Sequence, residues 1–438
     1  MADNYCMRLQ KFPANENLNR LVTFRQTVYN RLGPARDALF ELGDAVLLSP
    51  PVRSFPELTL SAIFRRKWSS CYEAIEDGRP QRISLLHLYL EYIDEAQRPI
   101  LAGDHTAWPR ITAPTLRDRT FEYQPNPVPG AKPITVGHGF STLVWVPDKK
   151  GSWSLPLLHE RITGSENRLR TMARQLSEVC PKLVGRPMVL LDSEYGCAPF
   201  IEETCGIPCD FIIRLRGNIC LRKMPDRRRK RGRPVVHGKK FRIRDPRTWG
   251  KPVETLETQG ENGERIRLQL WKKLHFRKAA KQSFTVLRIE FPDRPGTRRH
   301  PREIWMAWIG QEPPSLEDWW DFYFRRFTIE HWYRFAKQSL GWTVPQFRTP
   351  EQEERWSDLM PLLTWELYLA RNTIQDHPLP WQKDQSVPTP GRVKQSLGGL
   401  WARIGTPTRE PKPRGKAPGW ITGRPRTLVP RFPIMRKC

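Results

Sequence analysis

Apolar residues recur at helical spacing through Leu21–Leu32, Ala35–Leu48 and Leu85–Ile93, which predicts helices that each pack by one face. Ser54-Phe-Pro-Glu puts a proline in a first helical turn, and Phe64, Trp68 and Tyr72 follow at intervals of four, so one more helix is predicted there. That helix would carry Arg65, Arg66 and Lys67. A basic helix of this kind suits a DNA groove, and a solvated charged face explains it equally well. Residues 1–95 thus read as a helical, DNA-binding domain.

The pattern then changes to strands. Arg98-Pro-Ile-Leu-Ala-Gly-Asp-His-Thr is a short apolar run closed by an acid, Thr142–Val146 is a second strand, and Ser152–Leu158 is a third. Arg168–Val179 has the period of a helix. Pro187–Asp192 is an unbroken apolar run of the kind buried inside a sheet, and Asp210–Leu215 is another strand. From 217 to 310 the chain reads as a β-rich basic insertion, in which Arg267–Lys272 and Ser283–Ile289 alternate like exposed strands. One long helix is predicted from Ser315 to Leu340, starting at a capping-box-like Ser-Leu-Glu-Asp and stopping at Gly341, and another from Leu359 to Ile374. The expected organisation is a helical domain (1–95), a first core segment (96–216), the insertion (217–310), a second core segment bearing the glutamate helix (311–376) and a basic, proline-rich tail (377–438), extended when free.

Charge narrows the partners. The 438 residues include 73 Lys and Arg against 46 acids, a net charge of +27, which points to a polyanion. No uninterrupted apolar run is long enough to span a bilayer and the N-terminus has no signal-like stretch, so double-stranded DNA in a cytoplasmic setting is the expected partner and place. The eight cysteines include no C-x-x-C pair; the grouping of Cys197, Cys205, Cys209 and Cys220 fits reduced thiols better than a zinc site.

Asp104 and Asp192 close apolar strands, where a carboxylate is costly unless it is solvated or binds a cation. Either acid alone reads more readily as a loop-edge residue. On a single straight helix, Tyr323, Arg326, Glu330 and Lys337 would share an arc of roughly 60°, a narrow polar stripe beside apolar Phe322, Ile329, Trp332 and Phe335. A solvated face with an Arg326 to Glu330 pair is the bland alternative.

Tyr323-x-x-Arg326-x-x-x-Glu330-x-x-x-x-x-x-Lys337 resembles the Y-R-E-K signature of the insertion-sequence-4 superfamily of bacterial DDE transposases. Asp104-His-Thr resembles its first aspartate motif and Leu191-Asp192-Ser-Glu-Tyr-Gly its second. The resemblance implies an α/β fold, an RNase H-like mixed sheet flanked by helices and interrupted by the β-rich insertion. It also implies Asp104, Asp192 and Glu330 as catalytic ligands of two Mg²⁺ ions, with Mn²⁺ as substitute, and Tyr323, Arg326 and Lys337 as grips on DNA phosphates. Glu194, two residues past Asp192, is a further possible ligand. The implied activity is cut-and-paste transposition of an insertion sequence: cleavage at terminal inverted repeats and strand transfer into target DNA by a homodimer, nucleoid-associated when bound. Two rivals share these residues, an RNase H-like nuclease without strand transfer and a domesticated, non-catalytic DNA-binding protein.

Arg229, Lys230, Arg231 and Arg233 lie in an Arg-Gly-Arg-Pro context similar to minor-groove hooks, partly repeated at Gly423–Arg426; general phosphate binding is the simpler role. Trp305, Trp308, Trp319, Trp320 and Trp332 are candidates for stacking on a flipped base, with core packing the plainer reading for most of them.

Overall fold

The computed structural model describes residues 14–124, 133–225, 235–260, 263–297, 300–311, 313–316, 318–382, 387–413, 419, 423, 425 and 428–436. Its first helices are α1 (Ala14–Arg31), α2 (Arg36–Leu48), α3 (Ser69–Asp77) and α4 (Arg82–Leu90). Leu21, Phe24 and Val28 are the buried face of α1, as the spacing predicts, and Leu32 is buried just past its end. The helix expected from Ser54 through Tyr72 does not form. A short 3-10 turn covers Phe55–Leu60, and the chain is then irregular until α3. Arg65 and Arg66 turn inward to the buried carboxylate of Glu41, at 2.7 Å and 3.2 Å, instead of lining a groove-facing helix. An unpaired carboxylate at that depth would be costly, and pairing both arginines with it pulls this stretch off a helical path.

Next come β1 (Ile100–Pro109), β2 (Thr120–Tyr123), β3 (Ile134–Trp145), β4 (Leu155–Ile162), α5 (Arg168–Val179), β5 (Met188–Leu191), α6 (Ala198–Glu203) and β6 (Asp210–Leu215). β7 (Cys220–Lys223), β8 (Lys240–Arg242), β9 (Glu254–Gln259), β10 (Arg265–Phe276), β11 (Phe284–Glu290) and β12 (Glu303–Ile309) follow. The fold is mixed α/β around one large, mostly antiparallel sheet. β3 lies antiparallel to β1 on one side and to β4 and β2 on the other, while β1, β5 and β6 are mutually parallel neighbours. All four residues of β5 are buried, as expected of a strand covered on both faces. The third strand lies a few residues later than the sequence predicts. The short β2 went unread because four residues, buried and exposed in turn, make too brief a pattern. Beyond β6 the sheet continues without a gap, through β12, β11, β10, β7 and β8.

The predicted helix from Ser315 to Leu340 is two helices, α7 (Asp318–Arg325) and α8 (Thr328–Gln338). Across the join, the amides of Arg326, Phe327, Ile329 and Glu330 bond to carbonyls three residues back, the tighter 3-10 pattern. The Thr328 hydroxyl secures the break by donating to the Arg325 carbonyl at 2.7 Å while accepting from Ser154 at 2.6 Å. The stop at Gly341 is as expected: its φ is 67°, and Trp342 N–H reaches back to the Ala336 carbonyl at 2.9 Å.

α9 (Pro350–Ala370) starts nine residues earlier than predicted, at a capping box formed by Thr349 and Gln352. It packs on α1 and β4, and its Glu366 joins Asp44 of α2 in binding Arg25 of α1. The tail is not extended throughout. α10 (Pro390–Ser396) and α11 (Gly398–Ile404) bury Val393, Leu397, Leu400 and Trp401, an apolar face hidden in a basic composition. Near the end of the chain Met435 bridges to Thr120 at the edge of β2.

Candidate catalytic site

β1 and β5 run side by side with Gly103 opposite Leu191, so Asp104 and Asp192 follow on adjacent strands at the same level. Asp192 leaves the end of its strand as expected. Asp104 does not: β1 continues to Pro109, because β3 keeps pairing with it and Ala107 and Trp108 are buried. Asp104 is therefore a mid-strand carboxylate with Thr142 of β3 opposite.

α8 packs against β1 and brings Glu330 to the same place. The broken helix changes the predicted stripe, since Tyr323 belongs to α7, Arg326 to the join, and Glu330 and Lys337 to α8. The residues still converge. The buried guanidinium of Arg326 lies 3.0 Å from Glu330 Oε1 and 3.6 Å from Asp104 Oδ2. Burial opposes its charge, but Tyr323, Asp104, Asp192 and Glu330 favour it and hold Arg326 above the ordinary arginine range. Lys337 Nζ donates to Thr106 Oγ1 at 2.7 Å, two residues along β1 from Asp104, and burial pushes the lysine down to about 8. Tyr323 is buried, and its ring lies 5.6 Å from the Arg326 guanidinium.

Burial pushes the Asp104 carboxyl up to about 7; Arg326 and the His105 N–H oppose the shift, and Asp192 and Glu330 add to it. Three acids thus act on one another around one guanidinium. Among the described residues no three His, Cys, Asp or Glu side chains stand close enough to grip a metal ion as they are, and Arg326 takes the position between Asp104 and Glu330. The donor set, three carboxylates with one of them buried, nevertheless fits a hard divalent cation that would balance this charge.

Glu194 is tied up differently: Arg168 Nε is 2.7 Å away, Arg216 3.5 Å and His105 Nε2 3.6 Å. His105 Nδ1 in turn stands 3.7 Å from Asp104. The sequence reading passed over His105 and Thr106 as functional candidates although both sit in the first aspartate motif. Arg168 and Arg216 carry no local signal, because only the fold brings them to Glu194. Trp305, Trp308, Trp319 and Trp332 are buried core residues, and the side chain of Trp320 lies outside the description. Arg229, Lys230, Arg231 and Arg233 lie outside the described residues, as do Arg424 and Arg426.

Residues 27–275 match the family described as DDE superfamily endonuclease, a span that holds Asp104 and Asp192 and ends before the glutamate helix. No curated protein sequence matches the chain. Among solved structures, the C-terminal lobe of a budding yeast Argonaute aligns at 11% identity with a TM-score of 0.22, covering 68% of this chain and 57% of that one. The chain spans a little over half of that lobe, and a likeness this slight carries no argument. Among the described residues no helix is long and apolar enough to cross a membrane.

Proposed function

The chain belongs to the DDE superfamily of endonucleases, and from that premise we propose that it is an insertion-sequence transposase, cutting DNA at terminal inverted repeats and joining the ends to a target. Asp104, Asp192 and Glu330 would be its catalytic carboxylates. The observation that carries this reading is the placement of Asp104 and Asp192 on neighbouring parallel strands, with Arg326 spanning from Asp104 to Glu330. The order β4, β3, β1, β5, β6, three antiparallel strands followed by two parallel ones, supports an RNase H-like core.

On this reading each residue has a task. The three acids would hold two Mg²⁺ or Mn²⁺ ions, which would supply Lewis-acid stabilisation of the attacking and leaving oxygens of an in-line displacement. Arg326 would release Asp104 and turn its planar fork to a phosphate, and Lys337 would add a point charge from the Thr106 side. Tyr323 would back Arg326, completing the Y-R-E-K set. The basic segment with Arg229, Lys230, Arg231 and Arg233 would bind DNA phosphates, and the helices before residue 95 and the tail after 377 would help to hold the ends. Action as a homodimer on two DNA ends in a bacterial cytoplasm and nucleoid completes the proposal.

The test is cleavage of a DNA carrying the element's own ends by the purified full chain in Mg²⁺. Cleavage and end joining should vanish in Asp104→Asn, Asp192→Asn and Glu330→Ala while DNA binding remains. Undiminished cutting by Glu330→Ala would falsify the triad, and cutting without joining by the native chain would leave a plain nuclease.

A further inference from the structure

β1 ends as a strand with Pro109 opposite Gly137, while β3 runs on, paired with β2 from Thr120 opposite Gly137 to Tyr123 opposite Ile134. A two-stranded ribbon therefore projects past the sheet in the direction in which β1 and β5 run, the side on which Asp192 leaves its strand. Ile134 lies eight residues along β3 from Thr142, the partner of Asp104, which puts the ribbon's end about 26 Å from that carboxylate. Strand alternation divides its side chains. Thr120, Glu122 and Thr135 are buried on one face, while Phe121, Tyr123 and Ile134 are 52%, 49% and 55% exposed on the other. One exposed apolar residue is ordinary, but a cross-strand cluster holding two aromatic rings marks a contact surface.

Charge beside this face selects the partner. The end of the chain runs along β2: Phe432 N–H donates to the Pro114 carbonyl at 2.9 Å and Met435 N–H to the Arg119 carbonyl at 2.7 Å. Met435 bridges to Thr120 in parallel, so one step further Arg436 comes level with Phe121. Arg431 and Arg436 are exposed, and neither is engaged by an acid among the described residues. The neighbouring acids are taken up elsewhere, Asp118 by Arg161, Glu122 by Thr120 and Glu351 by Arg117. Free cations interleaved with exposed rings suit a nucleic acid. A second copy fits poorly: three side chains fall far short of the roughly 800 Å² that each partner buries in a stable dimer, and two copies would bring their arginines together.

We propose that the ribbon is a docking surface for an unpaired DNA strand, with Phe121 and Tyr123 stacking on its bases and Arg431 and Arg436 holding its phosphates. The proposal rests on the reading of DNA as the substrate. Residues two apart on one strand stand about 6.8 Å apart, twice the 3.4 Å rise of a stacked duplex. Both rings can cover base faces only where neighbouring bases have come unstacked, so the spacing favours an opened strand over intact duplex.

Fluorescence anisotropy of labelled oligothymidylate and of a labelled duplex with the full chain tests this. Phe121→Ala and Tyr123→Ala should each weaken oligothymidylate binding roughly 5- to 150-fold while duplex binding changes little, and Tyr123→Trp should retain it. Replacing Arg431 and Arg436 together with glutamine should lower the salt slope for the single strand by up to about 1.4. Thermal unfolding should stay unchanged, because all four side chains are at the surface. Unchanged oligothymidylate affinity in both alanine variants would overturn the proposal, as would equal losses on strand and duplex, a loss that tracks unfolding, or a loss of self-association with DNA binding intact. If the native chain binds neither DNA, the DNA reading itself has failed. If it binds and cuts DNA while both alanine variants hold the single strand normally, only the ribbon's role has failed.

Discussion

Replacing Arg25 with methionine should destabilise the fold by about 3–5 kcal/mol, the usual cost of removing one member of a buried ionic group. Arg25 NH1 and NH2 meet the two carboxylate oxygens of Asp44 at 3.0 Å and 3.1 Å, and NH1 also contacts Glu366. All three side chains are almost fully buried, so the variant would leave two acids in a medium that solvates them poorly. The guanidinium also lies 4.0 Å above the Trp401 ring, a contact worth about 0.5–2 kcal/mol that methionine only partly replaces. Methionine fills the space of the arginine stem, which keeps a cavity from dominating the loss. The pH dependence sharpens the test. Burial pushes Asp44 up to about 6 even with Arg25 present. Because this pKa is raised, Asp44's favourable contribution is full below its unfolded value near 3.8 and is lost as pH rises through about 6. Without Arg25 that loss deepens, so the penalty should be larger at pH 8 than at pH 5. Urea unfolding of the full chain at both pH values measures it. A cost under about 1 kcal/mol at pH 8, or no recovery when Asp44→Asn and Glu366→Gln are added, would refute the reasoning.

Lys337 sits near 8, so if its charge grips the substrate, cleavage should fall as pH rises through about 8; Lys337→Arg should flatten that alkaline limb in a pH–rate profile. Glu41→Gln should free Arg65 and Arg66, steepening the salt dependence of DNA binding by up to about two phosphate contacts while lowering the urea midpoint; an unchanged slope would mean that these arginines face no DNA. Gly341→Ala forces a side chain into a φ of 67° at the end of α8 and should cost about 1 kcal/mol by denaturant titration, with no loss implying that the helix end can relax.

Much of the core could be read from the chain because its local patterns agree with the fold. α5 and β6 have the predicted bounds, one an amphipathic helix and one a strand built on the apolar run Phe211–Ile213. The glutamate helix was misjudged for a physical reason: apolar spacing runs on through Ile329 and Trp332, whereas the break depends on a Thr328 hydroxyl bond and on Ser154, far away in sequence. Two tail helices escaped notice because charge outweighed the spacing of Val393, Leu397, Leu400 and Trp401. At the site, the residue types and order were legible. The position of Arg326 between two acids and the cationic ring around Glu194 were not, since each is made by side chains from separate elements.

The pairing of β6 with β12 also bears on how such a chain can vary. These strands are antiparallel neighbours with Leu215 opposite Trp305, so everything between them departs from and returns to almost one point of the sheet. Material inserted there behaves like an overgrown hairpin: it can be lengthened, trimmed or exchanged for another module provided that β12 still zips onto β6. Asp104 and Asp192 lie on the other side of β6, on strands whose register does not depend on the length of that excursion. The seam between β6 and β12 is thus a graft point, where new DNA contacts could be acquired without resetting the spacing of the carboxylates.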